Sequence, residues 1–203
     1  MGLHGSACPA AAELGSFGEG GVVSNQACLF AEDTSAPYDP LAEKCDPGAN
    51  TVQVAGAAYQ IPAFWLACFD TADIAVVESE EGDIPQLVSE LERVRFRLAE
   101  REAAVQELFP AHAAAWDEFR CAVEAAGRKY LKVDTYEIWM LEEDDGEFGR
   151  LLKKALSWFR SRTASDLDAL LSLAGIEAYD SESKTFSAGD DDPKRFLYGW
   201  LEE

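Results

Sequence analysis

A helix-dominated α+β fold is what this 203-residue sequence predicts, with a small sheet packed against a helical hairpin and C-terminal helices. Three observations carry that prediction. Short β-branched, aromatic or alternating runs recur at QACLFA (26–31), TVQVAG (51–56), DIAVV (73–77) and KYLKVDTYEIWML (129–141). Longer stretches with apolar residues at helical spacing lie between and after them. The chain is 48% hydrophobic, with five Trp, six Tyr and eleven Phe, so it has the material for one core of ordinary domain size.

In chain order, residues 1–22 are rich in Gly and Ala, show no periodicity, and are expected to form a poorly ordered tail. That leaves 23–203 as a single α+β domain. A related expectation is that translation starts at Val23, because GTG can initiate; residues 1–22 found in the native protein by mass spectrometry would overturn it. QACLFA reads as the first strand, and the segment after it is broken by Pro37, Pro40, Pro47 and Gly48. TVQVAG is a short strand. Pro62 then opens a helix over AFWLACF (63–69), apolar nearly all round and therefore assigned to the core. DIAVV is the next strand.

Asp83 is read as the cap of a long helix with Pro85 in its first turn. Leu87, Leu91, Val94, Leu98, Val105 and Leu108 follow at steps of three, four or seven. Pro110 ends it, and a second helix runs to Gly127, giving an antiparallel hairpin. KYLKVDTYEIWML is read as one or two strands broken at Asp134 and Thr135, with Leu131, Val133, Ile138 and Met140 facing inward. Phe148, Leu151, Leu152, Ala155, Leu156 and Phe159 form another helical stripe. A short helix capped by Asp166 or Ser165 ends at Gly175, a polar loop spans 180–192, and an amphipathic segment follows Pro193.

The formal charge of −21 excludes some partners and favours others. Such a field repels nucleic-acid phosphates and anionic lipid, and attracts a basic protein. Cys8, Cys28, Cys45, Cys68 and Cys121 are scattered without any CxxC pair, and with only two histidines they offer no zinc site. Their spacing predicts free thiols in a reducing cytosol, and the N-terminus lacks the pattern of a secretory signal, so a cytoplasmic protein is expected.

The motifs of common chemistries fail on register. An EF-hand loop needs an acid at its first position and glycine at its sixth; with Gly146, Gly82 or Gly189 in sixth place, the first is Leu141, Val77 or Lys184. GSFGEGG (15–21) lacks the Lys-Ser/Thr of a phosphate loop, and no G-x-S-x-G elbow occurs. Cys121 lies beside acids that disfavour its thiolate, and His112 is nine residues away on the same helix, more than about 13 Å by helical rise. No catalytic residue, cofactor or metal is assigned.

What stands out is where the acids cluster: Glu78, Glu80, Glu81 and Asp83 in one junction, Glu142, Glu143, Asp144, Asp145 and Glu147 in another. Should the two strands before these turns be parallel neighbours, both turns lie at one edge of the domain and concentrate negative potential there. Glu142, Glu143, Asp144, Asp145 and Glu147, with Glu80, Glu81 and Asp83 second, are the residues expected to meet a basic protein partner.

SNQACLFAEDTSAP (24–37), YQIPAFWLACF (59–69) and YLKVDTYEIWMLE (130–142) resemble segments of uncharacterised bacterial proteins of the immunity-protein type. The resemblance covers residues 24–142 and supplies no catalytic residues. It implies a non-enzymatic protein that neutralises a cognate toxin or effector by occluding its cationic active site with acidic loops. The alternatives are a regulatory or scaffold protein using the helical hairpin, and a hydrolase using convergent carboxylates.

Overall fold

The computed structural model describes residues 25–38, 51–80, 82–141, 146–189 and 191–201. The expected N-terminal tail and the expected start at Val23 lie outside them. The first strand, β1 (Gln26–Glu32), buries Ala27, Leu29 and Ala31 on one face, as alternation requires. β2 (Val52–Ala58) runs two residues beyond expectation and pairs antiparallel with it, with a bulge at Leu29/Phe30.

Helix α1 (Ala63–Leu66) is a single turn, shorter than expected, although every residue from Ala63 to Phe69 is buried. The chain then turns inside the protein, and the carbonyls of Ala67, Cys68 and Phe69 are satisfied by arginines arriving from elsewhere. β3 (Ile74–Ser79) follows.

Asp83 does not cap a helix: residues 82–90 form β4 (Gly82–Glu90), the second arm of a hairpin with β3 in the register Ile74↔Leu87 through Ser79↔Gly82. Pro85, a good first-turn residue, is equally tolerated here. Its carbonyl accepts from Thr135 Oγ1, and its missing N–H would point to the same side, where no ladder partner stands. α2 (Leu91–Leu108) therefore begins seven residues later than expected, burying Leu91, Val94, Leu98, Val105 and Leu108.

A one-turn 3₁₀ segment at Pro110–His112 leads into α3 (Ala113–Ala125). The hairpin is antiparallel, as expected: Arg95 reaches the Glu124 carbonyl while Arg120 Nη1 meets Glu102 at 3.0 Å. Gly127, at φ 62°, takes the left-handed conformation that ends the helix.

β5 (Tyr130–Asp134) is the expected strand, but the second half of that run is helical: α4 (Tyr136–Trp139). Ile138 and Trp139 are buried, whereas Met140, assigned to the inward set, is 55% exposed. α5 (Glu147–Ser161) and α6 (Ala164–Leu173) pack together, the latter capped by Thr163 in place of Ser165 or Asp166. Within the expected polar loop, β6 (Tyr179–Asp180) and β7 (Thr185–Phe186) make a small separate hairpin. The last segment divides into α7 (Lys194–Leu197) and β8 (Trp200–Leu201).

The main sheet has the order β3-β4-β5-β1-β2-β8, antiparallel throughout. With its helices this is an α+β fold. At one edge, Gly56 makes room for the Trp200 ring, which lies 2.5 Å from where a Cβ would sit. Phe64, Trp65, Trp116, Phe119 and Phe148 fill the centre of one continuous core. Phe64 stands edge-on to Trp116 at 5.0 Å between ring centroids.

Lys132, from the middle of β5, is one of several polar side chains buried with this core. Its side chain is 1% exposed and contacts Glu32, with further bonds to Thr34 Oγ1 and the Ala36 carbonyl. Burial lowers its ammonium pKa to about 8.

Candidate functional site: the acidic end of the sheet

Because β4 pairs antiparallel with both β3 and β5, those two strands run in the same direction with β4 between them. They are not adjacent, so the expectation of parallel neighbours is not met. Their C-terminal ends nevertheless leave the sheet on the same side, which is the consequence that mattered. The second acidic stretch follows the helical turn α4 and not a strand.

The register shows how far the hairpin projects. Ile74, Leu87 and Val133 lie level across β3, β4 and β5, and β5 ends one residue later at Asp134. β3 continues to Ser79. The hairpin tip, closed by Ser79 Oγ donating to the Gly82 carbonyl at 2.8 Å, thus extends several residues past the end of β5.

This end is built on a buried polar joint. Gln86 Nε2 donates to Asp134 Oδ1 at 3.4 Å, its Oε1 accepts from the Thr135 amide at 3.3 Å, and Tyr136 N donates to Asp134 Oδ1 at 3.0 Å. Burial raises the Asp134 carboxyl pKa above its ordinary value. Glu137 accepts from the Gln26 amide at 2.5 Å, fixing α4 to the start of β1. Asp134 and Glu137 therefore hold the scaffold, and other acids face solvent.

Of the eight acids assigned from sequence, Glu80, Asp83 and Glu147 are described, and all three are exposed. Glu81, Glu142, Glu143, Asp144 and Asp145 lie outside the described residues. Glu78 and Asp83 are register partners across the hairpin, both exposed. Like charges placed directly opposite destabilise a strand pair, and among the described residues neither forms an ion pair. Glu147 occupies the first turn of α5, where the helix dipole favours an acid. Apolar side chains border the acids: Val76 on β3 is 52% exposed, and Met140 and Leu141, just before the second acidic stretch, are 55% and 48% exposed.

Groups that could do covalent or acid–base chemistry are placed differently. Cys68 is fully buried and burial drives its thiol pKa far up. Cys121 is disulfide-bonded, which corrects the expectation of free thiols throughout; Cys28 and Cys68 are not in disulfides. His112 packs its ring on Phe186 at 5.6 Å, and burial lowers its pKa. Among the described residues, no three His, Cys, Asp or Glu side chains converge as a metal site requires, and no helix is long and apolar enough to cross a membrane.

The sequence reading missed an arginine network at the opposite end of the β3–β4 hairpin. Arg97 Nη1 meets Asp73 Oδ2 at 2.5 Å, Ser89 Oγ at 2.9 Å and the Cys68 carbonyl at 3.2 Å. Arg101 Nη1 donates to the carbonyls of Ala67 and Phe69, at 3.0 and 2.5 Å, and its Nη2 lies 3.7 Å from Asp70. Arg160, from the end of α5, also contacts Asp70. Burial lowers the Arg101 pKa to about 10, with Asp70 opposing. A signal was present: Arg101 falls within the apolar stripe between Leu98 and Val105, a core position for a charge.

Compared with protein-family models, curated proteins and solved structures, the chain matches none. Its function is therefore argued from its own residues.

Proposed function

We propose that the chain is a non-enzymatic binding protein whose acidic end captures a basic protein, and that this partner is a toxin or effector neutralised by occlusion of its cationic active site. The observation that carries this reading is the exposed pair Glu78 and Asp83, facing each other at the tip of a projecting hairpin without any cation among the described residues. That arrangement costs the folded chain stability and supplies it with no internal contact. A cationic surface would relieve the repulsion on binding, and negative potential concentrated on one end would speed the encounter. Val76, Met140 and Leu141 supply apolar contacts beside the charges, the combination that anchors protein interfaces.

The test begins by isolating the partner with the wild-type chain and purifying it. Association is then measured at low ionic strength. Glu80→Lys combined with Asp83→Lys should slow association about tenfold, an effect that shrinks as salt screens the charges. Glu143→Lys with Asp145→Lys is the parallel variant in the second acidic stretch. Unchanged association in both variants overturns the assignment of the surface. Growth protection on co-expression with the partner separates a toxin from any other basic protein.

A further inference from the structure

The arginine end opens into a cleft of about 320 Å³. Arg97 and Arg101 form its floor; both are nearly buried and held by carbonyls, Ser89 and the Asp70–Asp73 turn. The rim differs. The Arg160 side chain is 74% exposed and shares Asp70 with Arg101. Arg162, at the left-handed residue that ends α5, rests its guanidinium 4.4 Å above the Trp158 ring and has no carboxylate partner among the described residues. Four arginines thus line one cleft against two acids, Asp70 and Glu100, on a chain of formal charge −21 with only 17 basic residues.

The cleft also has an apolar wall. Phe96 is 69% exposed, more than any other large hydrophobic side chain among the described residues, and Phe159 carries the Arg101 guanidinium over its ring at 4.5 Å. A solvent-facing phenylalanine in this cleft costs apolar exposure that packing within the chain does not recover.

The geometry points to a binding site for a single-ring organic anion: a planar apolar body lying on Phe96, with a carboxylate or phosphate head held by Arg160 and Arg162. Guanidinium groups match both heads with paired N–H donors. The floor arginines, tied to Asp70, Asp73 and the nearby carbonyls, add positive potential. Its volume lies at the low end for small-molecule sites, which suits one ring and excludes a dinucleotide. The site is independent of the acidic end and of the function proposed for it.

Calorimetry and ligand-observed NMR on the full chain, with phenyl phosphate, phenylacetate and inorganic phosphate as probes, test the inference. At least one ring-bearing anion should bind saturably, and inorganic phosphate at least about tenfold more weakly, a difference of about 1.4 kcal/mol. The head that binds tighter identifies the ligand as a carboxylate or a phosphate ester. Arg160→Gln with Arg162→Gln should weaken binding at least about tenfold, and Phe96→Ser should weaken ring-bearing probes while leaving inorganic phosphate unchanged. All three positions are exposed, so a melting transition that stays cooperative verifies the fold. No saturable binding up to millimolar concentration, binding unaltered in the double variant, or inorganic phosphate binding as tightly as phenyl phosphate would each overturn it.

Discussion

The two ends of the β3–β4 hairpin treat charge in opposite ways. At the tip, Glu78 and Asp83 face each other and water, and the polar joint beneath them involves other residues. At the base, Asp70 and Asp73 are buried, close a 3₁₀ turn by mutual capping, and meet three arginines. A buried carboxylate must be paired, because desolvation otherwise costs several kcal/mol. An exposed one has no such requirement, so leaving it unpaired costs little and keeps it available. The acids at the base hold the fold together, and those at the tip are free to act on something else.

Breaking the base should have the largest effect. Arg101→Met leaves two buried carbonyls without donors and Asp70 with less compensation, and should cost about 3–5 kcal/mol in urea unfolding. Arg160→Met, at the exposed side of the same carboxylate, should cost under about 1 kcal/mol. Equal losses would show that the network does not divide into a structural floor and an exposed rim.

A smaller effect sits in the joint under the tip. The Asp134 carboxyl pKa is raised, so the folded state binds its proton more readily than the unfolded chain does. Its contribution to stability is present below the ordinary value of 3.8 and is lost as pH rises through the folded value. Asp134→Asn keeps an acceptor for Tyr136 and Gln86 while removing the titration. The variant should gain stability relative to the wild type as pH rises from 3.8 towards neutrality, read from urea midpoints across that range. A constant difference would refute the raised pKa.

The smallest effect sharpens the comparison most. Asp83→Lys turns a repulsive cross-strand pair into an attractive one and should stabilise the chain by about 0.2–1 kcal/mol in thermal unfolding, while weakening capture of a basic partner. A loss of stability would mean that Asp83 serves the fold, against the reading of the tip as a binding surface.

Local pattern and tertiary context divide this molecule in an instructive way. The alternation in QACLFA, the apolar stripe after Leu91, and the left-handed glycines Gly127 and Gly175 were legible because each reflects a local period or a backbone requirement. Asp83 and Pro85 imitate a helix start equally well on local grounds. Pairing with β3 on one side and β5 on the other overrides that preference. Tyr136–Trp139 has strand-like composition, yet the chain turns there because β5 has reached the end of its pairing with β1 and β4.

The candidate site divides along the same line. That the acids are many, clustered, and accompanied by no recognisable catalytic or metal-binding register follows from composition and spacing, which are local properties. Only the tertiary structure decided that Glu78 and Asp83 oppose each other on a projecting tip, that Met140 is exposed, and that Arg97, Arg101, Arg160 and Arg162 share one cleft. Those facts join residues as many as 65 positions apart, such as Arg97 and Arg162. Strand register and helix packing bring them together, and no local signal encodes either.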